Sequence, residues 1–132
     1  MTRPDHLPYL TMIARTDAAS GPPAKTFSTL DTALGAVVGH KLFMILLHHA
    51  TTRESERVYT NQPAAYPVGG RKELRDTAWA RQILQDGRVL GTINLLHEEG
   101  WYDDSDVPIG LAFATLALPA YLAVIGARAS VR

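Results

Sequence analysis

The chain has 132 residues, with 13 basic and 13 acidic side chains, a formal charge of zero and no cysteine. The balanced charge leaves no electrostatic footprint for a nucleic-acid backbone or an anionic bilayer, and the absence of thiols removes disulfides, thiolate metal sites and cysteine nucleophiles. The length predicts one domain, 1–132, with 1–25 an N-terminal helix and linker and 26–132 the core.

Taken in order, Pro4 and Asp5 stand where a secretory signal would carry an apolar run, which predicts an unexported, cytoplasmic protein. Pro8 suits a first helical turn, and Leu10, Ile13 and Ala14 make a short apolar stripe, predicting a helix over 8–15. The segment Asp17 to Ala24, with its double proline, ends it in a turn. Thr26 or Ser28 is then placed to cap a second helix in which Phe27, Leu30, Leu34 and Val37 recur at helical spacing, with Gly39 as its left-handed stop.

Leu42 to Leu47 is an unbroken apolar run between turn signals and predicts a buried strand. A polar loop, ATTRESE, leads to Arg57–Thr60 as the second arm of a hairpin with a long connection, and Asn61 to Gly70 is expected to be irregular. Asp76 is placed to cap a helix that carries Trp79, Ile83 and Leu84 on one side. Asp86-Gly87 is a tight-turn signal that runs directly into a strand, Val89 to His97, yet a helix precedes it, so the turn has no partner strand. Apolar residues on both faces of that strand predict a central position.

A polar loop, His97 to Ser105, follows, and Asp104 or Ser105 is expected to cap a final helix that Pro119 would kink. Pro108 to Ala127 carries no charge over twenty residues, long enough to cross a bilayer. Its Ala and Gly content and its internal proline favour a helix buried against a sheet and a partner subunit, with a transmembrane helix the lesser alternative.

The motifs RVYTNQPAAYPVGGRKEL (Arg57 to Leu74), DTAW (Asp76 to Trp79) and DGRVLGTINLLHEEGWYDDSD (Asp86 to Asp106) resemble one bacterial branch of stand-alone GAF domains, whose sensory fold is related to PAS domains. The resemblance covers most of the chain from Phe27 onward. It implies an α+β fold: an antiparallel sheet with the N- and C-terminal helices packed on one face and a ligand pocket on the other. It also exposes a gap. Proteins of this kind carry a further strand, helix and strand between the Trp79 helix and Asp86-Gly87, where this chain runs straight on. The sheet is therefore expected to be shortened and ordered Arg57–Thr60, Leu42–Leu47, Val89–His97. Its unprotected last strand predicts mutual cover by a second copy, a homodimer to which the helices Phe27 to Val38 and Pro108 to Ala127 contribute.

Gly69-Gly70-Arg71-Lys72 offers backbone amides beside two cations, either an anion cradle or a plain loop with solvated charges. Tyr59, Tyr66 and Trp79 lie near it in sequence as an aromatic wall. Asn94 either lines the pocket or satisfies backbone at the strand edge, and Trp101 with Tyr102 either caps a pocket or closes the end of the core. His48, His49 and His97 invite a metal reading, but adjacent strand residues point to opposite faces and no recognised ligand spacing is present. No catalytic constellation is evident. One enzymatic branch of the GAF family, the free methionine sulfoxide reductases, works through cysteines that this chain lacks. The expected function is a non-catalytic sensory domain for an unknown small molecule, with no cofactor or metal. The alternative is a pocketless dimerisation module derived from such a domain.

Overall fold

The computed structural model describes residues 3–16, 22–49, 51–73 and 91–130, the last four of these by their backbone alone. The Asp17 to Gly21 part of the first turn, the Trp79 helix, the Asp86-Gly87 turn and the start of the strand at Val89 lie outside the described residues. The architecture is α+β: among the described residues there are three helices and a four-stranded antiparallel sheet. The chain divides into two compact units, a helical one (1–41 and 96–132) and a sheet one (42–95).

In the helical unit, α1 spans Leu7–Ala14, with Pro8 in its first turn and the Asp5 carboxylate accepting the Leu7 amide at 3.1 Å. It buries Ile13, one of the large core side chains. Helix α2 runs Pro23–Val37, and its start corrects the sequence reading. Pro22, extended at φ −61° and ψ 125°, precedes Pro23 in the first turn, so fixed proline geometry begins the helix where a side-chain cap was expected at Thr26 or Ser28. Thr26 is instead buried inside the helix, its hydroxyl 2.8 Å from that of Thr16. Phe27, Leu30, Ala33, Leu34 and Val37 form the buried face, at the spacing an amphipathic helix requires. The helix stops at Gly39, whose φ of 80° is left-handed and whose amide bonds the Leu34 carbonyl at 3.0 Å.

Helix α3 covers Asp106–Ser130 and continues through Pro119. Phe113, Ala117, Ala120 and Tyr121, spaced as one helical face, are buried, and Tyr121 meets Phe27 edge-on at 5.8 Å. The three helices pack on one another in all pairs. By length and composition the Asp106–Gly126 stretch could cross a membrane, with mean hydropathy 2.0 and 22% of its most apolar window buried.

In the sheet unit, β1 spans Leu42–His49, β2 Glu54–Thr60, β3 Arg71–Glu73 and β4 Gly91–Leu96, ordered β3-β2-β1-β4. The expected order of three strands holds, with β3 added outside β2. Two expectations change. The strand beginning at Gly91 stands at an end of the order, as the shortened sheet implied and against the central position read from its two apolar faces, and is only partly buried; the buried strand is β1, where Leu42, Phe43, Ile45, Leu46 and Leu47 are all core. The hairpin connection is also short, because β2 begins at Glu54 and pairs with β1 out to His49. Arg53, at φ 56°, makes the turn. The ladder from His49↔Glu54 to Leu46↔Arg57 gives the polar ESE segment enough backbone partners to be strand.

Candidate ligand site

Opposed residues in an antiparallel ladder share a face, so the register sorts the sheet unit. His49, Leu47, Glu54, Glu56 and Arg71 lie on one face, and His48, Leu46, Ser55, Arg57 and Lys72 on the other. One extra residue in β2 opposite Ile45/Leu46 keeps Tyr59 with Ile45 on the first face and Thr60 with Met44 on the second.

The first face is closed by its own charges. The buried Glu56 carboxylate takes the His49 Nε2 at 2.8 Å and Arg71 Nη2 at 3.3 Å, while Arg71 Nη1 reaches Glu54 at 3.2 Å. Tyr59 packs edge-on against Phe43 at 5.7 Å.

The second face is not so closed. Ser55 directly opposes His48 and is 3% exposed, yet among the described residues its hydroxyl has no hydrogen-bond partner, the His48 ring included. Burial, and then the charge of neighbouring His49, push the His48 imidazole below its ordinary range, so it is neutral at pH 7. Arg57 supplies the cation. Its Nε donates to the Met44 sulfur at 3.2 Å and its Nη1 to the Pro67 carbonyl at 2.9 Å, with the Tyr66 ring 5.4 Å away. Its Nη2 donates to no acceptor among the described residues. The Arg57 backbone also fastens the following loop, bonding the Gly70 carbonyl at 2.9 Å and the Gly69 amide at 2.7 Å. A Cβ at Gly70 would stand 2.8 Å from Arg57 Nη1, so the guanidinium would have to shift to admit one.

This geometry rearranges the residues singled out in the sequence. Tyr66 and Gly70 gather around Arg57, but Arg71 and Lys72 belong to a short strand and therefore part to opposite faces. The Gly69 and Gly70 amides are engaged within their own loop, Gly70 reaching the Pro67 carbonyl at 3.4 Å. Asn94 on β4 is separated from β3 by two intervening strands, roughly 14 Å across the sheet. Trp79 lies outside the described residues, and Trp101 belongs to the helical unit. Sequence reasoning missed Ser55 and Arg57, whose alternation with Glu54 and Glu56 was readable as a period of two only once ESE was known to be strand. Among the described residues no group of three His, Asp or Glu side chains converges on a common point.

In the helical unit a second polar cluster ties the ends of the chain together. Arg3 donates to Asp106 through Nε at 3.0 Å and Nη2 at 3.1 Å, and to the Trp101 carbonyl at 2.8 Å. Its guanidinium lies 5.2 Å from the Trp101 ring, on which His97 stacks at 3.9 Å. Arg3 is engaged on Asp106 and the Trp101 carbonyl through Nε and Nη2, so the cluster fastens the N-terminal segment to the start of α3.

Compared with known proteins, the chain matches no protein-family model, no curated protein and no solved structure.

Proposed function

We propose that this chain is a non-catalytic, cytoplasmic regulatory domain of GAF-like build that binds a small molecule on the Met44, His48, Ser55 and Arg57 face of its sheet. The observation that carries the reading is the Ser55 hydroxyl. A buried hydroxyl without a partner costs about 1–3 kcal/mol, and native proteins leave few such groups without a reason. A ligand that hydrogen-bonds Ser55 would supply the missing partner. The guanidinium edge of Arg57 and the neutral imidazole of His48 on the same face favour a molecule with one carboxylate or phosphate and a neutral hydrogen-bonding group. Ser55 Oγ makes no hydrogen bond to the His48 ring, so the contact that would activate it as a nucleophile is lacking, which supports binding over chemistry.

The test is a thermal-shift screen against amino acids, nucleotides, cyclic nucleotides and tetrapyrroles, repeated on Ser55→Ala. Binding to the native state alone raises stability by about 2.7 kcal/mol at a ligand concentration of 100 Kd. A compound that raises Tm in the native sequence and loses most of that effect in Ser55→Ala supports the site. No stabiliser, or one indifferent to Ser55, rejects it.

A further inference from the structure

Helix α3 buries one face and leaves a second apolar face bare. Phe113, Ala117, Ala120 and Tyr121 are buried, while Val107, Leu111, Leu118 and Leu122 are 56%, 63%, 44% and 52% exposed. At 3.6 residues per turn those four fall within about 60° of arc, so they make one stripe along the helix, with Ala114 and Thr115 at its middle. From Val107 to Ala127 the sequence holds no charged residue.

We infer that this stripe is the contact between two copies of the chain, paired antiparallel through α3 about a two-fold axis at Ala114 and Thr115. The successive spacings of the four large residues are 4, 7 and 4, which read the same from either end. A two-fold axis at the midpoint sets Val107 against Leu122 of the partner subunit and Leu111 against Leu118 of the partner subunit. Each of those contacts occurs twice, as an isologous interface demands. The small side chains Ala114 and Thr115 at the axis let the two helices approach.

Charge selects the antiparallel direction. Asp103 and Asp104 precede the uncharged run, with Asp106 already paired to Arg3, and Arg128 follows it, so antiparallel copies set unlike ends level where parallel copies would set like ends level. The helix dipoles oppose in the same arrangement. The four exposed side chains and the small residues between them make a contact at the low end of the size range for a specific interface, the range of weak association.

A bilayer is the competing occupant. It suits the stripe less well, because the same helix buries Phe113, Ala117, Ala120 and Tyr121 against the other two helices, so only one stripe of it is left for lipid and the rest is already held by the helical unit. The inference concerns the helical unit alone and does not depend on whether the sheet binds a ligand.

The experiment is sedimentation equilibrium from 1 to 100 μM, protein concentrations chosen to span weak association, on the native sequence, Leu111→Glu, Leu118→Lys and the Leu111→Glu/Leu118→Lys double variant. Circular dichroism confirms the fold of each, and vesicle flotation with neutral and anionic lipids runs in parallel. The expected result is a dimer for the native chain, at least a tenfold weaker association for each single variant and recovery in the double variant, whose two new ion pairs form only across the axis. A native monomer, a dimer indifferent to Leu111→Glu and Leu118→Lys, no recovery in the double variant, or a monomer that floats with vesicles would each overturn it.

Discussion

Trp101 donates its indole N–H to the carbonyl of Val38, 2.7 Å away and 63 residues back along the chain. The next carbonyl, of Gly39, accepts the Tyr102 hydroxyl at 2.6 Å. The last carbonyls of a helix have no donor within it, so the loop after β4 finishes the end of α2.

Trp101→Phe keeps most of the ring and removes the donor; it should cost about 1–2 kcal/mol, read from the midpoint of urea unfolding. Gly39→Ala should cost a similar amount. It places a Cβ at positive φ, 3.2 Å from the indole, so backbone strain and a tight contact add. No change in midpoint for either variant would show that the loop contributes nothing to ending the helix.

Asp106 contributes to the acid sensitivity of the helical unit. Its hydrogen bond from Arg3 holds the carboxyl below the ordinary carboxylate range. A depressed value stabilises the fold above the unfolded pKa of about 3.9, and that contribution is lost as pH falls through the folded value. Asp106→Asn should lower stability at pH 7 and flatten the acid limb of unfolding. Arg3→Ala should do the same, and the double variant should be little worse than either single one.

His48 acts in the opposite range. Its folded value is depressed, so the unfolded chain takes up the proton first, and stability is complete above the unfolded pKa of about 6.5 and declines as pH falls through it. His48→Gln should remove this slope between about pH 7 and 5. Ser55→Ala, by deleting a buried hydroxyl without a partner, should leave the ligand-free protein as stable as the native one or up to about 1 kcal/mol more stable. A loss above that size would mean that Ser55 is already satisfied.

Leu30 and Leu111 separate core from surface. Leu30 is fully buried, and Leu30→Ala should cost about 2–5 kcal/mol. Leu111 is exposed, and Leu111→Ala should change the unfolding of the monomer by less than about 0.5 kcal/mol. A large effect at Leu111 in dilute solution would mean that the exposed stripe packs within its own chain.

The sequence by itself determined the local features that rest on periodicity and backbone chemistry. The apolar spacing in 27–37, the six-residue run at 42–47 and the left-handed glycine after α2 all appear where their patterns place them. It also determined that His48 and His49 part to opposite faces, because alternation is a property of any strand. Features that need a partner were decided by tertiary structure. Glu54-Ser55-Glu56 has little strand propensity, and β1 makes it strand by offering paired backbone groups as far as His49. The same pairing puts Ser55 opposite His48 and splits Arg71 from Lys72. The uncharged residues 107–127 were legible as an apolar helix, but only packing shows Phe113, Ala117, Ala120 and Tyr121 buried and Leu111, Leu118 and Leu122 exposed. Hydrophobicity fixes that a surface will be covered, whereas shape decides which side of the helix the protein covers for itself.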